Sequence, residues 1–261
     1  MHAAYYYYKH AGLGEVLTKL NSFTFIMSSL CHDVGHRGKN NNFEVSSLSE
    51  LALLYHDVSV LEQHHAALTM KLLTQSQNNF LDKLKSEDFK KFRKLLIKGI
   101  LATDMKEHFA LIESFQKQID SLSANRDKLD EDKQTFVMSF FVHVADLNGP
   151  SKEYTIADKW SRLVNMEFTN QYNTELKYGL APTPYFKDLD KDIVYYENEI
   201  KFNSVFIAPL LQVANTFTQG KLAFALAHIE KNCATFKLKL EEARASALAQ
   251  KPEENGQAKA Q

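Results

Sequence analysis

Apolar residues recur at helical spacing along most of this chain. In residues 15–31, Val16, Leu17, Leu20, Phe23, Ile26, Met27 and Leu30 fall three or four apart, which predicts one helix burying a broad stripe. It runs into His32 and Asp33, after which GHRGKNNN (35–42) predicts a loop. A second helix is expected to open at Ser46 to Ser49, with Leu51, Leu54, Tyr55, Val58, Leu61, His65 and Leu68 as its buried face. Residues 76–90 are polar and read as a short helix and a turn. A third helix is expected over 88–105, with Phe92, Leu95, Leu96, Ile100 and Thr103 on one side, and an amphipathic helix with a polar connection over 106–130. The dense apolar run TFVMSFFVHVA (135–145) predicts a buried helix that delivers Asp146 at its end, where LNGP (147–150) breaks it. A long helix follows over 154–178 around Trp160, then a Pro/Gly loop at 179–184. The pattern ends with a helix over 190–218 bent at Pro209 and a last one from Leu222 to Ala247.

Composition narrows this to an all-α class. With 261 residues, 44% hydrophobic and 24% charged, the chain can bury a full core. Only 9 Gly and 5 Pro disfavour a sandwich or barrel with many tight turns. No internal repeat or rich linker divides the chain, so one domain is expected over 1–247. The small polar remainder, 248–261, is expected to be a disordered tail. A net charge of −1 offers no bulk attraction to a nucleic-acid polymer or an anionic membrane, so any phosphate-bearing ligand must be held locally. There is no apolar run of about 18 residues to span a membrane and no signal peptide at Met1. The 2 cysteines, Cys31 and Cys233, fit a reduced interior better than a disulfide framework. A cytoplasmic location is expected.

The densest chemistry is His32-Asp33 with His36. A hard carboxylate beside a borderline imidazole suits Zn²⁺, Mn²⁺ or Mg²⁺. Alone, the pair reads equally as a chance neighbour of a surface histidine, and a second pair, His56-Asp57, has no ligand set around it. Asp146 falls at the negative end of a helix, which is unfavourable for an acid unless a cation compensates.

Context changes that reading. HDVGHRGKNNNF (32–43), SELALLYHDVSVLEQHH (49–65), LATDM (101–105) and HVADLNGP (143–150) resemble, in order, spacing and wording, the catalytic domain of class I cyclic-nucleotide phosphodiesterases. The resemblance runs from about His2 to about residue 217 and implies an all-helical, two-metal hydrolase. It implies a first ion held by His2, His32, Asp33 and Asp146, the first of these from MHAA as the end of the family's HNxxHA motif. Asp33 would bridge to a second ion whose waters are held at His36, Glu62 and Thr103. Glu62 also reads as an ordinary helix residue and Thr103 as a packed core threonine. Zn²⁺ and Mg²⁺ (or Mn²⁺) are the implied cofactors.

The implied reaction opens cAMP or cGMP to the nucleoside 5′-monophosphate, in signal termination, by in-line attack of an activated water. A histidine then protonates the leaving 3′-oxygen. That donor is the first His of HNxxHA and falls upstream of Met1, as do the family's N-terminal helices. Either the chain is a fragment of a longer enzyme, with regulatory domains upstream, or it is a truncated paralogue that binds metal or nucleotide without turnover. A purely structural helical protein is a third reading.

Within the family a Gln hydrogen-bonds the purine edge and a Phe three residues later stacks on the ring. Counting back from Pro209 puts Glu199 and Phe202 at those positions. Met105, Leu147, Val164 and Phe168 match other pocket-wall positions, although periodicity reads Val164 and Phe168 equally well as helix core. Gly35 and Gly149 replace a frequent Asp and a usual Asn without removing a direct ligand. Glu199 is the consequential departure, because an ionised carboxylate only accepts hydrogen bonds. Guanine offers two adjacent donors and adenine a donor beside an acceptor, so Glu199 implies a bias towards cGMP.

Overall fold

The computed structural model describes residues 1–124 and 126–249. Among these residues the helices in order are α1 (His2–His10), α2 (Leu13–Val16), α3 (Lys19–Cys31), α4 (Asn41–Ser46), α5 (Glu50–Tyr55), α6 (Val60–Leu73) and α7 (Ser86–Leu101). They continue as α8 (His108–Ala124), α9 (Glu131–Asp146), α10 (Tyr154–Lys177), α11 (Asp192–Phe202), α12 (Ala208–Phe217) and α13 (Ala223–Ala249). No strand occurs among the described residues, and no described helix is long and apolar enough to cross a membrane. Helix α13 passes the expected domain end at 247, and residues 250–261 of the expected tail lie outside the described residues.

Helix α9 is the post of the bundle. From Val137 to Ala145 every residue is buried, and the helix packs against α1, α3, α7, α8 and α12. Phe115, Phe140, Phe141 and Phe217 form its aromatic centre, with Phe115 stacked on Phe140 at 3.9 Å. A second cluster, built on Ala66, Phe92, Leu96 and Ile100, lies between α6 and α7. A third, built on Tyr195, Tyr196, Phe236 and Leu240, joins α11 to α13.

Three predicted helices are each two. The first breaks at Leu17, which is extended, and restarts where the Thr18 hydroxyl accepts from the Asn21 N–H. The second breaks between α5 and α6, where His56, Asp57 and Ser59 all take left-handed backbone. That break leaves Leu54 and Val58, expected in the buried face, exposed. The helix over 190–218 is interrupted by a π-helical turn, Asn203–Ile207, ahead of Pro209. Part of the 35–42 loop also becomes α4, because the Asn40 side chain caps it through the Phe43 N–H.

The face of α3 reverses the expectation more sharply. Phe23 and Leu30 of its apolar stripe are exposed, whereas Asn21, Ser22, Thr24, Ser28 and Ser29 are buried with Phe25. Close approach decides this: α3 packs on α7 so tightly that a Cβ at Gly99 would stand 2.8 Å from Ser28 Oγ. Only small side chains fit there, and burying large ones would push the helices apart. Gly99→Ala is therefore expected to destabilise the fold by about 1 kcal/mol or more through overpacking, despite alanine's better helix propensity. Denaturation of Gly99→Ala in the wild-type and Ser28→Ala backgrounds checks this, since removing the hydroxyl should relieve most of the cost.

Candidate metal centre

Two helix ends bring the first ligands together. Helix α3 ends at Cys31, and His32 continues in helical conformation as its C-cap. Asp146 is the last residue of α9. His32 Nε2 lies 2.8 Å from Asp146 Oδ1 and 3.3 Å from Asp33 Oδ2. Ligand atoms of all three residues fall within 4.8 Å of one another. On its other side His32 Nδ1 faces the Ser29 carbonyl at 3.1 Å, which fixes the ring's orientation.

Electrostatics show what this point attracts. Burial alone would lower His32, but the hydrogen bond and charge of Asp146, then the charge of Asp33 and the Ser29 carbonyl, hold it up at about 9. Carboxylates at the C-terminal end of a helix normally meet an unfavourable dipole, and here they converge on a positive charge. The set is one imidazole nitrogen and two carboxylates around a position that retains a proton well above neutrality. It fits a divalent cation.

His2, expected in the same group, stands outside it. It is exposed on the first turn of α1, which turns Ala3, Ala4 and Tyr7 inward. The Met1 amine approaches instead, donating to the Ser29 carbonyl at 3.3 Å. Burial lowers that amine and the charge of Asp146 opposes the effect.

Of the expected water-holding residues, Glu62 is near enough to Asp33 to feel its charge. Glu62, in the first turn of α6, is buried and accepts from Asn41 Nδ2 at 2.9 Å. Burial pushes its carboxyl up against the Asn41 hydrogen bond, with Asp104 and Asp33 adding like charge. Thr103 is buried and spends its hydroxyl on the Ile100 carbonyl, 2.7 Å away. The ring of His36 lies 5.8 Å from that of His65, and its Nδ1 accepts from the Gly38 N–H at 3.0 Å.

His65 and Asp104 are the residues that pattern reading misses. His65 is buried, its Nδ1 2.8 Å from the Val34 carbonyl and its Nε2 3.8 Å from Asp33 Oδ1. It thereby steadies the turn that carries Asp33. Burial lowers it, opposed by the Val34 carbonyl and Asp33. Asp104 is buried and accepts from Ser59 Oγ at 2.8 Å, which ties the left-handed turn before α6 to the start of the Met105 segment. For His65 the available signal is a histidine on a face otherwise apolar, and for Asp104 an acid directly after Thr103.

Of the expected pocket residues, Val164 and Phe168 lie on α10 and Glu199 and Phe202 on α11, while Met105 precedes α8 and Leu147 caps α9. Glu199 is buried, with Oε1 3.3 Å from Asn165 Nδ2 of α10. Burial pushes its carboxyl above the usual carboxylate range, against hydrogen bonds from Ser161 and Asn165. Phe202 is half-buried and stacks on Phe206 at 5.5 Å. Phe168 stacks on Phe186 at 4.2 Å and 7°. Leu147 is half-buried, while Met105 and Val164 are exposed, so Val164 is not helix core.

The chain belongs to the 3′5′-cyclic nucleotide phosphodiesterase family, whose model matches residues 1–229. It is 37% identical over 171 residues to the 3′,5′-cyclic-nucleotide phosphodiesterase regA of Dictyostelium discoideum, covering 66% of this chain and 21% of that protein. It is 33% identical over 223 residues to the dual specificity calcium/calmodulin-dependent 3′,5′-cyclic nucleotide phosphodiesterase 1 of Drosophila melanogaster, covering 85% of this chain and 26% of that protein. The crystal structure of the phosphodiesterase domain of the RhoPDE fusion protein from the choanoflagellate Salpingoeca rosetta superposes with a TM-score of 0.88 at 30% identity. That match covers 94% of this chain and 76% of that one. The chain thus spans roughly a fifth to a quarter of the length of these curated relatives.

Proposed function

We propose that this chain hydrolyses 3′,5′-cyclic nucleotides to nucleoside 5′-monophosphates, terminating a cyclic-nucleotide signal. The convergence of His32, Asp33 and Asp146 from distant stretches of chain carries the reading. Divalent ions, when bound, supply Lewis-acid polarisation of the phosphoryl oxygens and a nucleophile at neutral pH. His32, Asp33 and Asp146 hold the first ion. That imidazole-containing set suits Zn²⁺, and the oxygen-rich neighbourhood of Asp33, Glu62 and Thr103 suits Mg²⁺ or Mn²⁺. Glu62, Thr103 and His36 orient water, and His65 positions Asp33 from behind. The 2 cysteines are free, which fits a reducing, cytoplasmic setting.

The test is product formation by the purified chain with cAMP or cGMP, in ZnCl₂ and MgCl₂ and again after chelation. The 5′-monophosphate should appear and chelation should abolish it. Bound metal and bound nucleotide without product would identify a non-catalytic paralogue. Absence of metal uptake would remove the reading altogether.

Glu199 supplies the base preference. Ionised, it accepts both guanine N1–H and N2–H and meets adenine N1 with repulsion; neutral, it presents one donor and one acceptor and tolerates either base. Its buried carboxyl titrates above the ordinary range. As pH rises through that value, the cGMP-to-cAMP ratio of kcat/KM is expected to rise. In Glu199→Gln the ratio should be flat with pH and closer to unity. Parallel pH profiles of the two proteins on both substrates check it.

A further inference from the structure

Lysine and arginine gather on one part of this nearly neutral chain. Between residues 82 and 98 there are 7 cations against 3 acids, while the whole chain carries −1. Lys90, Arg93, Lys94 and Lys98 are exposed on one face of α7, three and four residues apart, opposite the buried Phe92, Leu95, Leu96 and Ile100. Lys83 and Lys85 are exposed just ahead of the helix. Among the described residues only Lys91 of this group pairs with an acid, Glu131 at 3.2 Å, and the others stand without an ion pair.

An apolar surface adjoins these cations. Phe80, 54% exposed, stands edge-on to the exposed Phe23 of α3 at 6.1 Å. With Leu30, 53% exposed, Phe80 also borders a cavity of about 640 Å³ between α3, α6 and the segment before α7. Met27, Leu72 and Leu73 complete its apolar walls, and none of its lining residues is charged. Lys83 and Lys85 follow Phe80 by three and five residues, so their α-carbons lie within roughly 11 and 18 Å of it even at full extension. Single exposed apolar side chains are ordinary, whereas an aromatic and aliphatic patch beside unpaired cations marks an interaction surface. A partner must satisfy both parts. An acidic peptide or a polynucleotide neutralises the cations and leaves the hydrocarbon-lined cavity to water. An anionic phospholipid brings a charged headgroup for the lysines and acyl chains for Phe80, Leu30 and the cavity.

We propose that the segment from Phe80 through α7, with Phe23 and Leu30 of α3, is a docking surface for an anionic lipid leaflet. The cavity it contains reaches Cys31 and Val34, the chain neighbours of His32 and Asp33, so docking puts the metal centre on the membrane side of the fold. Sedimentation of the full chain with vesicles tests it. The chain should pellet with equimolar phosphatidylserine–phosphatidylcholine vesicles and not with phosphatidylcholine alone, and added salt should weaken the binding. Lys90→Gln, Arg93→Gln and Lys94→Gln together should lower the partition coefficient about a hundredfold, or about fivefold per cation. Phe80→Ala leaves every charge in place and should lower it about fivefold. All four side chains are exposed, so both proteins should melt within a few degrees of wild type. In Phe80→Trp, emission should shift to the blue on mixed vesicles and be quenched by brominated phospholipid, with wild type and its single Trp160 as the baseline. Equal binding to both vesicle types, binding to neither, or an unchanged partition in either variant would overturn the proposal. So would displacement by inorganic phosphate at matched ionic strength, which would assign the cations to free phosphate. Binding of poly-uridylate without vesicle binding would likewise replace the lipid by a polynucleotide. Vesicle binding is read without turnover, so its outcome is independent of the phosphodiesterase reading.

Discussion

Asp146→Asn is expected to lower turnover by at least about three orders of magnitude and to abolish tight Zn²⁺ uptake, since loss of a ligand forfeits several kcal/mol of charge stabilisation. The substitution keeps shape and removes only the negative charge 2.8 Å from His32 Nε2. Its signature extends to the metal-free protein. Against burial, Asp146 is the main reason that His32 stays protonated up to about 9. A histidine raised in the fold contributes stability that is fully present below its unfolded pKa of about 6.5 and is lost as pH rises through the folded value. In chelator, wild type should therefore exceed Asp146→Asn by about 2–3 kcal/mol near pH 6, with the gap closing towards pH 9. Urea melts at both pH values, elemental analysis and the turnover assay measure the three effects. Retained Zn²⁺ with full activity would remove Asp146 from the centre.

Phe140→Ala should destabilise the chain by about 3–5 kcal/mol, enough to unfold much of it at physiological temperature. Phe140 is fully buried, stacks on Phe115 at 3.9 Å and meets Phe141 edge-on at 5.4 Å, while Phe115 continues to Phe217. The hole would open in the middle of α9, the helix that ends in Asp146, and flanking rings locked in mutual contact cannot collapse into it. Phe109→Ala is the matched control: Phe109 is 53% exposed and should cost under about 1 kcal/mol. Chemical denaturation of both variants checks the contrast.

Much of the fold is legible in the sequence. Helical periodicity gave the elements because nearly every helix has one apolar face, and α9 stood out because it has no polar one. The HD pair and Asp146 could be joined across the chain only by wording shared with a family, since spacing alone left chance as good an explanation. The breaks were hidden for physical reasons. His56, Asp57 and Ser59 adopt left-handed backbone without a glycine among them, so no glycine marks the end of α5. The buried face of α3 misled because close helix approach selects small polar residues over the apolar stripe. His65 and the His108–His143 contact are products of packing, and no spacing rule relates residues 35 positions apart. The hydroxyl of Thr18 was a readable start signal for α3 that the apolar run on either side obscured.

The loop after His36 is bolted to α10. Asn40 and Gln171 exchange hydrogen bonds at 2.8 and 2.9 Å, Gln171 passes on to Glu175, and Glu175 receives the backbone and hydroxyl of Thr183. Lys39 adds contacts to Asn170 and Thr174. Swinging this loop outward would break all of these contacts at once, and the buried Gln171 and Glu175 would lose partners set at hydrogen-bonding distance, so the segment before α4 is held to α10 as a fixed part of the fold.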